Sequence, residues 1–146
     1  MIKKKLGCFI LALVIMLGCF VLPESEAELT ASATSDVVEV SPSDLEYEIF
    51  EDNEKTSIAI YAYYGTDKKI SIPDTIDGYP VTYLEHSSFG DSKTLEYVEL
   101  PANAEYISPG TFDSSVAITE YAISANNPYY TCVDGVLYNK DKTSIL

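Results

Sequence analysis

Ile70-Ser-Ile72-Pro73, Val81-Thr-Tyr83-Leu84, Phe89, Leu95, Val98-Glu-Leu100-Pro101, Ala104-Glu-Tyr106-Ile107, Phe112 and Ile118 follow one another along the chain. Their spacing decides the fold. Tyr83 to Tyr106, Leu84 to Ile107, Phe89 to Phe112 and Leu95 to Ile118 are each 23 residues apart. A fixed period in this range marks a solenoid, in which each repeat buries its apolar face only by stacking on the next. Proline closes the phrases at Pro73 and Pro101, and a proline cannot donate to a strand ladder, so each phrase reads as a strand with a defined end. Ile70, Ile72, Val98, Leu100, Tyr121 and Ile123 are predicted to point inward and stack coil upon coil. Phe89 and Phe112 are predicted to fill the far side of the same core as equivalent plugs. No helical period is sustained beyond the N-terminal segment, so the fold class is mostly β with little helix.

The Pro73 to Pro101 spacing is 28 rather than 23. The excess falls at Asp77-Gly78-Tyr79-Pro80, a turn-forming run that reads as a surface loop. Upstream, Leu45-Glu-Tyr47-Glu-Ile49 and Ile58-Ala-Ile60-Tyr-Ala62-Tyr63 alternate around the polar stretch Glu51 to Lys55, which predicts a β-hairpin. Ile58, Ile60, Ala62 and Tyr64 are expected on one face of its second strand, with Tyr61 and Tyr63 on the other. This hairpin, 45–64, is expected to cap the first coil. Repeats then occupy about 67–123. From Ser124 to Pro128 the Leu-Pro phrase is lost, and 124–146 reads as a degenerate terminal unit. Its two final apolar residues make a poor solenoid end, so the sequence reads as a fragment or as an array that ends mid-repeat.

The first 27 residues read as a signal peptide: Lys3-Lys4-Lys5, an apolar run from Leu6 to Leu22, and a small-x-small cleavage site at Ser25-Glu-Ala27. Met16-Leu-Gly-Cys19 resembles a lipoprotein box, although Phe20-Val-Leu22 continues the apolar run where a polar tether is expected. Lipid anchoring at Cys19, or retention of the segment in the membrane, is the alternative to cleavage. Residues 28–44, rich in Ser, Thr, Ala and acid, read as a flexible linker. The expected location is secreted or at the cell surface.

The 146 residues carry 9 Lys plus Arg against 23 Asp plus Glu, a formal charge of −14. Such a balance repels nucleic acid and anionic headgroups and favours cationic partners. Removal of the signal would leave Cys132 as the one cysteine, without a disulfide partner. It reads as a small hydrophobe rather than a reactive thiol. His86 is the single histidine, so a multi-histidine metal site is excluded. Asp52-Asn-Glu54 and Asp134 to Asp141 lack EF-hand spacing. A carboxylate pair for hydrolysis needs a cleft, and a short solenoid offers a ridge. No catalytic residue, cofactor or metal is therefore assigned, and the protein is read as a non-enzyme.

Tyr83 and Tyr106 occupy equivalent positions on successive coils beside the inward Leu84 and Ile107, so both rings are predicted to face outward, ~4.8 Å apart in strand spacing. Together with Tyr97, Glu99 and Glu105 they form the candidate binding surface. Two roles are open to them: a ladder that stiffens adjacent coils, or an aromatic recognition stripe.

Ile72-Pro73, Thr75-Ile-Asp-Gly-Tyr-Pro-Val-Thr82, Leu84, Phe89, Leu95-Glu-Tyr-Val-Glu-Leu-Pro101 and Phe112 resemble the BspA-like leucine-rich repeat proteins. Asn127-Pro-Tyr-Tyr130 and Asp134-Gly-Val-Leu-Tyr-Asn-Lys-Asp141 are similar to the unit that often follows such repeats. The resemblance spans about Leu45 to Leu146. It departs at Glu85-His-Ser-Ser-Phe89, where a glycine and an alanine usually precede the phenylalanine. The resemblance implies a leucine-rich-repeat-type β-solenoid at or outside the cell surface, engaged in adhesion and in binding an extracellular host or matrix protein. A glycan bound on the repeat face is the lesser alternative. It brings no catalytic residues. The competing expectation is a structural spacer or N-terminal repeat block of a larger surface protein.

Overall fold

The computed structural model describes residues 36–52 and 54–146. The signal segment, Cys19 and the first part of the linker lie outside the described residues. In chain order the elements are β1 (Val38–Glu39), a turn of 3-10 helix (Pro42–Asp44), β2 (Leu45–Asp52), β3 (Lys55–Tyr63), β4 (Lys69–Ser71), β5 (Thr75–Ile76), β6 (Tyr79–Leu84), β7 (Tyr97–Glu99), β8 (Tyr106–Ile107), β9 (Glu120–Ala122), β10 (Tyr130–Val133) and β11 (Val136–Asn139).

Each full coil gives one strand to each of two sheets. The first sheet runs β1-β4-β7-β9, all parallel, with Val38, Ile70, Val98 and Tyr121 in one row. The second runs β2-β3-β6-β8, and the parallel part places Ile60, Leu84 and Ile107 in a row. Backbone bonds continue the stacking through the corners: Ile72 N–H donates to Glu99 O at 2.8 Å, Leu100 N–H to Ala122 O at 2.8 Å, and Phe89 N–H to Thr111 O at 3.0 Å. Between the sheets lie Ile58, Ile60, Ile70, Ile72, Ile76, Val81, Leu84, Leu95, Val98, Leu100 and Ile107, all buried. β-branched residues dominate because a repeating strand row rewards stiff side chains that mesh with their own copies.

On the far side of the core four rings stack along the axis. Phe89 lies between Tyr63, at 5.5 Å, and Phe112, at 5.6 Å, and Phe112 meets Tyr121 at 5.2 Å. The two phenylalanines are not equivalent plugs. Phe89 is covered from both sides and is 1% exposed, whereas Phe112 belongs to the last full coil and is only partly buried. Tyr121 and Ile123 are half-buried for the same reason.

Three other expectations are corrected. First, the linker does not extend to residue 44. Val38–Glu39 pairs with β4, Val40 is 4% exposed, and Ser41 caps the 3-10 turn. The alternation Val38-Glu-Val40 is a strand signal that the polar surroundings conceal. Second, the face assignment on β3 changes phase beyond Ile60. Tyr47 opposes Ile60 while Glu46 opposes Ala62, so Tyr61 is an extra residue. This bulge turns Tyr63 into the core, against Phe89, and leaves Tyr64 67% exposed. Third, the extra residues after Pro73 are not an irregular loop. β5 and β6 form a small antiparallel hairpin whose turn residues Asp77 and Gly78 have φ of 53° and 84°. Two consecutive positive φ values define the turn that suits hairpin twist, and Asp-Gly is a preferred pair for it.

The unit 124–146 packs on the third coil as a β10–β11 hairpin. Tyr130 stands 23 residues after Ile107, and its hydroxyl accepts the Ile107 N–H at 2.9 Å. Gly135 O accepts the Tyr121 N–H at 2.8 Å. Asn127 is 1% exposed, donates from Nδ2 to Ala102 O and Ala104 O, and accepts from the N–H groups of Tyr129 and Tyr130. One edge N–H each of β8 and β9 is thereby satisfied.

Because Phe89 is enclosed and Phe112 is not, truncation should separate them. Phe89→Ala is expected to cost about 3–5 kcal/mol. Phe112→Ala should cost about 2 kcal/mol, reduced by its partial exposure. Urea unfolding of both variants checks this, and equal losses would contradict the ring order.

Candidate binding surface

Pairing across the second sheet puts Glu48, Ala59, Tyr83 and Tyr106 in one row on its outer face. Leu84 and Ile107, one step along each strand, point into the core, so pleating alone turns the tyrosines outward. The two rings lie 5.7 Å apart at 38°. Phe50 of β2 meets Tyr83 edge-on, with centroids 5.0 Å apart and planes at 90°. The result is a three-ring shelf, Phe50–Tyr83–Tyr106, whose outermost ring is 43% exposed.

Charged groups border it. Lys55 Nζ lies 3.9 Å from Glu105 Oε1. With Phe50, Asp52, Ser57 and Tyr83 these two line a hollow of 160 Å³ beside the rings. Lys55, Ser57 and Glu105 also begin a larger groove of 660 Å³ that continues past Asn103 and Asn126 to Tyr129. Thr82 lines this groove. Its hydroxyl is buried and has no hydrogen-bond partner among the described residues.

The five residues expected to act together are divided. Tyr83, Tyr106 and Glu105 belong to the shelf. Tyr97 and Glu99 lie on β7 in the other sheet, in rows with Lys69 and Glu120 and with Ser71 and Ala122. Burial, then the charges of Glu99 and Glu120, raise the Tyr97 hydroxyl above its ordinary pKa. Phe50 was not among the expected residues. Its alternation with Glu48 marks an outward position, but only the cross-sheet register shows that it meets Tyr83.

Elsewhere the chemistry is sparse. His86 is exposed on the coil turn, and its Nδ1–H donates to Pro109 O at 2.8 Å, tying one coil to the next. Cys132 is half-buried, and burial pushes its thiol up to about 11, which keeps it neutral and unreactive at pH 7. Among the described residues no group of three or more His, Cys, Asp and Glu is arranged to hold a metal ion.

No family model matches the sequence, and no curated protein matches it. A solved structure does: the T. pallidum leucine-rich repeat protein, at 24% identity with a TM-score of 0.55, over 60% of this chain. The chain has a leucine-rich repeat fold. It spans 40% of the length of that protein.

The unpartnered Thr82 hydroxyl gives a test of the groove wall. Thr82→Val keeps the shape and removes a buried polar atom, so it should raise stability by about 1 kcal/mol. A loss of stability on denaturant unfolding would mean that the hydroxyl is satisfied after all.

Proposed function

We propose that this is an exported, non-catalytic protein-binding module that acts in adhesion at or outside the cell surface and engages its partner through the Phe50–Tyr83–Tyr106 shelf. The shelf is the observation that carries the reading. Aromatic rings in a contiguous row on an open sheet face supply contact area at low entropy cost. A leucine-rich repeat fold suits protein interaction because it repeats one outward position at fixed spacing. The acidic composition points to a basic partner, and Glu48 and Glu105 lie beside the rings. Export is supported by the Lys3-Lys-Lys5 and Leu6 to Leu22 pattern, and the BspA-like resemblance of the repeat phrases supports the adhesive role. Lipid anchoring at Cys19 remains the alternative to cleavage, resting on Met16-Leu-Gly-Cys19.

Two further readings have their own support. The groove past Asn103 and Asn126, with Tyr129 at its end, offers amides and a ring to a glycan. A spacer or repeat block within a larger surface protein is supported by the 40% coverage of the longer leucine-rich repeat structure.

The test is the double variant Tyr83→Ala, Tyr106→Ala, measured by surface plasmon resonance against purified basic extracellular proteins. Where the wild type binds saturably, affinity should fall by about 2 kcal/mol or more per ring. Melting should shift little, since Leu84 and Ile107 are untouched. Unchanged affinity would remove the shelf from recognition. A collapse of melting would make the rings a structural ladder.

A further inference from the structure

β2 is the outer strand of the second sheet: β3 pairs with one of its edges, and no described strand pairs with the other. At eight residues it is long for an unprotected edge. Its register sorts its side chains cleanly. Glu46, Glu48, Phe50 and Asp52 lie on the outer face, opposite Ala62, Ala59, Ser57 and Lys55. Leu45, Tyr47 and Ile49 lie on the core face, opposite Tyr63, Ile60 and Ile58. Two of the outer carboxylates are held in place by tyrosines in β3 and just beyond its end. Tyr64 donates to Glu46 at 2.5 Å, and Tyr61 donates to Glu48 at 3.3 Å. The core face is unfinished here: Ile58 is fully buried, while its partner Ile49 is 50% exposed.

We propose that β2 accepts an extended segment of a partner protein by strand addition, and that this segment alternates Lys or Arg with β-branched apolar residues. Its backbone would continue the ladder. Its apolar residues would cover Ile49 and Tyr47, and its basic residues would lie beside Glu46, Glu48 and Asp52. Strand addition takes affinity from the main chain and specificity from alternate side chains. A second copy of this chain is a poor occupant. Antiparallel pairing of β2 with β2 would set carboxylates against carboxylates, and like charges directly opposite are destabilising. The same charges therefore guard the edge against self-association and select a cationic strand.

This inference rests on the protein-binding reading only in taking a polypeptide as ligand. It uses the backbone edge of β2 rather than the Tyr83 and Tyr106 rings. Phe50 and Glu48 border both, but the two tyrosines lie on β6 and β8, so the two readings can fail separately. The probe is an end-capped alternating Lys-Val octapeptide, compared with two isomers N-methylated on one or the other alternate set of amides. All three carry the same charge. The parent peptide should bind saturably and slow hydrogen exchange at β2. One isomer should bind like the parent, and the other should be weaker by about tenfold or more, because only one set of amides faces the edge. Glu46→Gln with Glu48→Gln should also weaken binding, whereas Tyr83→Ala with Tyr106→Ala should leave it unchanged. Equal binding by both isomers, protection mapping away from β2, or a β2-mediated homodimer would overturn the proposal.

Discussion

Parallel strands that hydrogen-bond at a spacing of about 4.8 Å leave no room for coils of different length within the stack. Every other feature follows from that constraint. If Leu84 is to lie over Ile60 and under Ile107, the chain between them must return to the same point with the same face turned inward. A slip of one residue would turn each inward side chain to solvent. Departures from the period are therefore expelled from the stack. The excess residues after Pro73 leave as the β5–β6 hairpin, closed by an Asp-Gly turn with two positive φ values. The extra residue on β3 is absorbed at Tyr61 as a bulge.

The constraint that organises the interior also organises the surface. An outward residue that recurs with the period becomes a row, which is how Tyr83 and Tyr106 meet at 5.7 Å. Phe50 joins them without belonging to the repeat, since the hairpin β2–β3 extends the same sheet by antiparallel pairing. The two ends of the stack differ. At the far end Asn127, Tyr130 and Gly135 satisfy edge groups of the last coil. At the near end no described strand pairs with the outer edge of β2, whose outer face carries Glu46, Glu48 and Asp52.

Much of the architecture was legible because a solenoid writes one contact many times. The offsets of Leu84 to Ile107 and Phe89 to Phe112 contain the stacking directly, and Pro73 and Pro101 mark where strands stop. What the sequence concealed was whatever depends on a single register. Tyr63 and Tyr64 are adjacent tyrosines, and only the bulge at Tyr61 decides which of them enters the core. Tyr97 and Glu99 resemble the shelf residues in composition but lie on the other sheet, because proximity in sequence is not proximity across a coil. Tyr130 extends the 23-residue spacing from Ile107, yet it contributes a hydroxyl to a backbone N–H where the earlier coils placed an aliphatic side chain.

The central claim is that 23 residues make one coil, so the direct measurement is of an added coil. A tandem duplication of residues 85–107 should give a folded β protein with a higher melting temperature, because each added coil brings one more interface of the same kind. A duplication one residue shorter should melt lower or fail to fold, because its inward positions fall out of row. Equal thermal unfolding of the two duplications, or failure of the longer one to fold, would contradict the account.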